Sequence, residues 1–258
     1  MKKSPQYVDV TETPGDEITE EAASMLVTRY EQAARLAEGK DVLEVACGAG
    51  QGLGYLAGRA RRVVGGDLTE RLLAIAHHRY DGWIPLVRLD AHQLPFAAAS
   101  FDVVVLHEAI YYLRAAEHFI LECRRVLRGG GTLVVTTVNR EWTDFNPSPY
   151  SHWYPSACEL QASLRHGFVN VEVYGAFPAS AKTVRDRLIS VTKRAAVSLG
   201  LVPRTMKGKR LLKRAFLGKL VPVPPVITDS LAPCAPLTIL DTGRPHPEFK
   251  VLCAFASV

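Results

Sequence analysis

Along the first half of the chain, short apolar runs alternate with longer stretches in which apolar residues recur three or four apart. Phe101-Asp-Val-Val-Val-Leu-His107 is the clearest run, and near-continuous apolarity of this kind suits a strand covered on both faces at the centre of a sheet. Similar runs at Asp41 to Ala46, Arg62 to Asp67, Ile84 to Leu89 and Thr132 to Val138 predict further strands. Between them lie helical patterns. Asp16 to Ala37 carries Ile18, Ala22, Met25, Leu26, Ala33 and Leu36 at helical spacing behind leading acids. A small-residue helix ends near Arg59, another runs from Thr69 to Tyr80, and a third runs from about Ala115 to Leu127, stopped by Gly129-Gly130-Gly131. Strands and helices alternating at this spacing imply parallel pairing with right-handed crossovers.

After Val138 the rhythm changes. Pro155 to His166 reads as a proline-opened helix closed by Gly167, Phe168 to Tyr174 as an edge strand, and Phe249 to Ala256 as a last strand. Between these strands, Val184, Leu188, Ile189, Ala196 and Leu199 are spaced for one amphipathic helix, and Met206, Leu211, Leu212, Phe216 and Leu220 for a second. Seven prolines from Pro222 to Pro247 then impose an irregular extended path. The expected organisation is one domain: an N-terminal helical cap over residues 1–39, a core over 40–174, a basic helical and proline-rich insertion over 175–247 and a final strand over 248–258.

Composition adds a charge asymmetry. The 258 residues carry a net charge of +5, yet residues 181–220 hold twelve Lys or Arg against the single acid Asp186, which leaves the rest of the chain at −6. A block this basic serves as a solvated face or meets an anionic partner. The five cysteines are scattered and never form a C-x-x-C pair, so neither a disulfide framework nor a zinc clip is expected. No apolar stretch follows the two N-terminal lysines, and no run approaches the ~20 residues of a membrane span, so a cytoplasmic location is expected.

The strand ending at Ala46 runs into Cys47-Gly-Ala-Gly-Gln-Gly-Leu-Gly54. A glycine turn between strand and helix lets backbone approach a ligand closely. No frame fits G-x-G-x-x-G, because the third glycine position holds Leu53, Tyr55 or Ala57, and no Gly-Lys-Ser or Gly-Lys-Thr occurs. Glu44, four residues before Gly48, would repel a pyrophosphate and suits a cationic ligand. Five segments in order then carry a resemblance: Val42 to Gly50, Gly66-Asp67-Leu68, Leu89-Asp-Ala-His-Gln-Leu-Pro-Phe96, Phe101 to Val105 and Val126-Leu-Arg-Gly-Gly-Gly-Thr-Leu133. Together they resemble the successive motifs of class I S-adenosylmethionine-dependent methyltransferases, most closely the small-molecule branch that includes ubiquinone and menaquinone biosynthesis methyltransferases.

The resemblance implies a Rossmann-like, doubly wound α/β sheet of seven strands, mostly parallel with an antiparallel last strand, and S-adenosyl-L-methionine as cofactor. It implies that Gly48 and Gly50 give the turn clearance for the methionine part, with Glu44 ordering the turn or meeting the cofactor's amino group through water, and Ala46 standing where relatives often have glycine. It also implies that Asp67 meets both ribose hydroxyls, Leu68 packs on the adenine, and Asp90 with the Ala91 backbone receives the adenine amino group. His107, Glu108, Tyr111 and Tyr112 would sit beside the methyl group, with Glu108 or His107 as the base and His107 also lining the cofactor. Trp142 and Tyr150, in an aromatic-rich loop, are expected to wall the acceptor pocket. His107-Glu-Ala-Ile-Tyr111 is not H-E-x-x-H, so no metal is expected. The loop after the fourth strand, His-Glu-Ala-Ile-Tyr-Tyr, lacks the Asn/Asp-Pro-Pro-aromatic pattern of adenine-N6 enzymes, which favours a small-molecule acceptor over nucleic acid. The basic insertion points to an anionic acceptor or to peripheral contact with an anionic membrane. An RNA methyltransferase using that insertion is the alternative.

Overall fold

The computed structural model describes residues 7–179 and 220–258. The two amphipathic helices expected between Val184 and Leu220 lie outside the described residues, apart from Leu220 itself. A short strand β1 (Glu17–Thr19) leads into α1 (Glu20–Ala37). The sequence places the start of this helix at Asp16, but Glu17 to Thr19 instead pair antiparallel with Leu220–Pro222, and the Thr19 hydroxyl caps the helix by accepting from Ala22 N–H at 3.1 Å.

Then follow β2 (Asp41–Val45), α2 (Leu53–Ala57), β3 (Arg62–Asp67), α3 (Glu70–Tyr80), β4 (Leu86–Arg88), β5 (Phe101–His107) and α4 (Ala116–Val126). The second half brings β6 (Leu127–Val138), α5 (Ala157–Leu164), β7 (Asn170–Pro178), β8 (Leu220–Pro222), β9 (Thr238–Ile239) and β10 (Phe249–Ser257). β1 and β8 form a small separate sheet, and the others form one sheet in the order β4-β3-β2-β5-β6-β10-β7-β9. β2 to β6 are mutually parallel, and β10 runs antiparallel to both β6 and β7. The expected sheet is therefore present with one strand more than the seven expected. The two-residue β9 lies outside β7, so β7 is not the edge strand its alternating pattern suggested.

Gly129 to Gly131 do not stop the fourth helix. Leu127 is already extended and pairs with Phe101, the register then jumps so that Thr132 opposes Val103, and the glycines occupy the irregularity, Gly130 with φ +76°.

The apolar runs sort by parity onto the two faces of the sheet. Val42, Val63, Val103, Val105 and Val134 pack beneath α1, α2 and α3. Leu43, Val45, Val104, Leu106, Leu133 and Val135 pack against Phe119 and Ile120 of α4 and Leu160 of α5. By the same parity Glu44, His107 and Thr136 fall on the face that α1 covers, at the C-terminal ends of their strands. The strand order reverses between β2 and β5, so these ends flank the crevice where open α/β sheets bind ligands.

Candidate functional site

A cavity of about 630 Å³ opens at this crevice, within the size range of small-molecule sites. Its floor is the turn after β2. Ala46 has φ +58° and Gly48 φ +57°, so two left-handed residues wrap the chain back under the cavity. A Cβ on Gly48 would come within 3.2 Å of Thr11 Cγ2, from the N-terminal segment that covers the turn. Gln51 Nε2 ties that segment down by donating to Glu12 O at 2.6 Å. Gly50 points elsewhere. Its φ is +76°, but a Cβ there would meet Ala76 Cβ at 2.9 Å, so the glycine seats α3, and it does not line the cavity.

Asp67, at the end of β3, reaches across to this turn. Its Oδ2 accepts from Gly48 N–H at 2.9 Å and its Oδ1 from Thr69 N–H at 2.7 Å, so one carboxylate fixes both the turn and the entry to α3. Burial raises its pKa, and those backbone bonds oppose the rise. Each oxygen keeps a lone pair for a further donor. Leu68 and Ala91 line the cavity beside Asp90. Partial burial pushes Asp90 up, but bonds from the His92 backbone at 2.9 Å and ring at 2.6 Å outweigh it and hold the carboxyl below its ordinary value.

Under α1 sits a buried polar group of four residues. Tyr30 donates to Glu44 Oε1 at 2.5 Å and lies edge-on to the His107 ring at 4.8 Å between centroids. His107 Nδ1 meets Thr136 Oγ1 at 2.9 Å, the residue directly opposite it on β6. Glu44 Oε2 and His107 Nε2 are buried and have no hydrogen-bond partner among the described residues. Burial raises Glu44 to about 8, against the hydrogen bond from Tyr30, and drives His107 well below 6.5, with the charge of Arg29 adding to the effect. This face therefore presents a protonated carboxyl and a neutral imidazole near pH 7.

Beyond β5 the chain turns through Glu108 with φ +51°, a strained conformation for a side chain of this size. Burial raises the Glu108 pKa, and Tyr111 donates to its Oε2 at 3.3 Å. Tyr111 stacks on Tyr154 at 4.2 Å and Tyr112 bonds Ser148 at 2.8 Å, so the aromatic wall is anchored in the loop after β6. Tyr111, Tyr112 and Trp142 line the cavity. Tyr150 does not; it meets Tyr7 edge-on at 6.3 Å outside it.

The cavity thus gathers Glu44, Ala46, Gly48, Asp67, Leu68, Asp90 and Ala91 with His107, Glu108, Tyr111, Tyr112 and Trp142, and leaves out Gly50 and Tyr150. Sequence reasoning missed Tyr7, Arg29, Tyr30, Thr136 and Lys250, all of which line it. Tyr30 carried a signal: it lies four residues beyond Leu26 on the apolar stripe of α1, yet bears a hydroxyl that burial obliges to find a partner.

The methyltransferase domain family matches residues 43–135, the stretch that holds the turn, Asp67, Asp90 and His107. A probable S-adenosylmethionine-dependent methyltransferase of Mycobacterium tuberculosis is 36% identical over 155 residues, covering 57% of this chain and 56% of that protein. A ubiquinone biosynthesis O-methyltransferase of Rhizobium rhizogenes is 33% identical over 115 residues, covering 43% of this chain and 46% of that protein. A crystal structure from Thermotoga maritima, described as a possible histamine N-methyltransferase, shares the fold with a TM-score of 0.58 at 17% identity, over 91% of this chain and 89% of that one. The chain spans little more than half the length of the first curated relatives it matches. No helix among the described residues is long and apolar enough to cross a membrane. Residues 43–135 thus match the methyltransferase domain family, and over a little more than half of its length the chain is similar to S-adenosylmethionine-dependent methyltransferases.

Proposed function

We propose that the protein is an enzyme that transfers the methyl group of S-adenosylmethionine to a small-molecule acceptor held under the aromatic wall. The observation that carries this reading is the convergence in one cavity of the left-handed turn at Gly48, the carboxylates Asp67 and Asp90, and the two buried unpartnered atoms Glu44 Oε2 and His107 Nε2. This donor and acceptor set fits the cofactor. Asp67 has a free lone pair on each oxygen for the ribose hydroxyls. Asp90, ionised and partly exposed, accepts from the adenine amino group with the Ala91 backbone beside it, and Leu68 packs on the ring. Arg29, whose charge reaches Glu44 and Glu108, is the cation for the methionine carboxylate, and Glu44 Oε2, buried without a hydrogen-bond partner among the described residues, is the group for the amino end.

When bound, the cofactor supplies a carbon already activated by its sulfonium, so the protein's share is orientation, worth up to ~7–11 kcal/mol in well-aligned systems. Tyr111, Tyr112 and Trp142 hold the acceptor and exclude water. Glu108, whose pKa burial raises, takes the proton that an oxygen or nitrogen nucleophile sheds. His107, held neutral, offers Nε2 as a hydrogen-bond partner to the acceptor, and Thr136 sets the plane of its ring.

Calorimetry with S-adenosylhomocysteine tests the cofactor half. Binding that weakens at least tenfold in Asp67→Ala is expected, and no binding to the unaltered protein would overturn the reading. For the chemistry, Glu108→Gln is expected to lose about 10²-fold or more in turnover while still binding S-adenosylhomocysteine. Full turnover in both Glu108→Gln and His107→Ala would remove the base assignment.

A further inference from the structure

The inner face of α1 runs the length of the cavity. Glu21, Met25 and Arg29 all line it and stand four residues apart, so Glu21 and Arg29 are two turns, about 12 Å, from each other. Arg29 lies at the end near the glycine turn, where its charge acts on Glu44 and His107. Glu21 lies at the other end, facing the start of β10. There Lys250, its side chain only 16% exposed, reaches from the sheet to Glu21 Oε1 at 2.5 Å and passes over the Trp142 ring at 5.6 Å.

Lys250 is fixed from behind. Asn139, fully buried, donates its side-chain amide to the carbonyls of His246 and Phe249 at 2.8 and 3.0 Å. Its backbone N–H donates to the Lys250 carbonyl at 2.9 Å, while its own carbonyl accepts from Trp142 N–H at 3.2 Å. One asparagine thus pins both the strand that carries the lysine and the turn that carries the indole. A largely buried, pre-positioned ammonium on a cavity wall is a costly arrangement when its partner, Glu21, is 52% exposed and could be solvated alone.

We propose that Lys250 is the specificity-determining cation for the acceptor, and that the acceptor is a planar aromatic molecule bearing a carboxylate that replaces Glu21 on Lys250 and stacks against Trp142. This inference rests on the methyltransferase reading of the same cavity. The cofactor's carboxylate already has Arg29 at the far end, so Lys250 is left for the second substrate. Tyr7, Tyr112 and Trp142 supply aromatic faces on the wall of the same cavity. Two fixed points, Lys250 for the carboxylate and Glu108 for the reacting hydroxyl, then orient the ring.

Paired acids and methyl esters test this: 4-hydroxybenzoate and 4-hydroxycinnamate, each against its ester, titrated calorimetrically into the full chain with and without S-adenosylhomocysteine. The unaltered protein is expected to bind at least one acid about tenfold or more tightly than its ester. Lys250→Met is expected to abolish that preference, and Glu21→Gln, which removes the competing carboxylate, to tighten the acid several-fold. If Lys250→Met does not fold, Glu21→Gln decides alone, because a purely structural ion pair predicts unchanged or weaker binding. No acid preferred over its ester, a preference surviving Lys250→Met, or weaker acid binding in Glu21→Gln would each overturn the proposal. Failure of S-adenosylhomocysteine to bind would instead strike the methyltransferase reading, since the acid and ester titrations are also read without it.

Discussion

Gly52 is where a single methyl group should do most damage. It precedes α2 and faces the ring of Tyr30, and a Cβ built on it lies 1.8 Å from Tyr30 Cε1 and 2.0 Å from Cζ. To reach ordinary contact near 3.4 Å, the ring must withdraw by about 1.6 Å. Tyr30 is 6% exposed and packed into the core beneath α1, so there is no free direction. A withdrawal of that size breaks the 2.5 Å bond to Glu44 and pulls the ring edge off His107. Overpacking costs about 1–3 kcal/mol. The lost hydrogen bond, which leaves Glu44 with neither oxygen partnered, costs about 1–3 kcal/mol more. At about 2–4 °C per kcal/mol for a chain of this size, Gly52→Ala should lower Tm by roughly 5–20 °C in a thermal melt followed by circular dichroism. Tyr30→Phe, which removes the hydroxyl but not the ring, should cost only the hydrogen-bond part. Because the clash needs the ring, Gly52→Ala should be nearly free in a Tyr30→Ala background, giving a coupling above about 1 kcal/mol in the double-mutant cycle. A Gly52→Ala protein melting within a degree or two of the parent, or additive single effects, would refute this account of the buried group.

Burial lifts Glu44 from 4.5 to about 8, so the folded protein keeps a proton that the unfolded chain releases. Its contribution is therefore full below about pH 4.5 and is lost as pH rises toward about 8; the slope of unfolding free energy across that window, from urea titrations, should flatten in Glu44→Gln. Asp67→Ala removes the acceptor for both Gly48 N–H and Thr69 N–H and should cost several kcal/mol in the same titrations, at about 1–3 kcal/mol for each buried donor left unpaired. A loss under about 1 kcal/mol would show that water replaces the carboxylate. Ala46→Gly relieves a left-handed Cβ at φ +58°, worth about 1–2 kcal/mol, against about 0.4–1 kcal/mol of added unfolded-state entropy. It should be neutral to stabilising by about 1 kcal/mol, and a clear destabilisation would count against the turn geometry.

The central strands were legible because each must satisfy two apolar layers at once, which leaves an uninterrupted run such as Val103 to Leu106 with few other readings. β1, β8 and β9 were not, because strands of two or three residues exist only through partners distant in the chain: Ile18 pairs with Val221, and Gly175 with Thr238. The glycine turn was legible as a turn, but not the division of labour inside it. Gly48 faces the cavity and Gly50 faces α3, a difference set by Ala76 and Tyr80, which no local spacing encodes. Asp67, Asp90 and His107 are named in the sequence through the family resemblance, at the ends of recognisable strand patterns, and all three line the cavity. Tyr30 and Arg29 escaped because they lie inside a helix whose apolar residues account for its packing, and their site roles come from Glu44 and His107 on other elements.

The family match covers one part of the cavity wall and omits another. Residues 43–135 hold the turn, Asp67, Asp90 and His107, proposed for the cofactor, together with Glu108, Tyr111 and Tyr112, proposed for the acceptor. Glu21 and Arg29 precede that stretch, while Thr136, Trp142 and Lys250 follow it, and all of them line the same cavity. The matched stretch therefore includes neither α1, which carries Glu21 and Arg29, nor the corner that carries Trp142 and Lys250. On the proposal for Lys250, the choice of acceptor depends on how α1 and the corner pinned by Asn139 meet at the cavity, where Glu21 pairs with Lys250 and Lys250 lies over the indole of Trp142. Relatives that keep residues equivalent to 43–135 but differ at these three positions should therefore differ in acceptor rather than in cofactor.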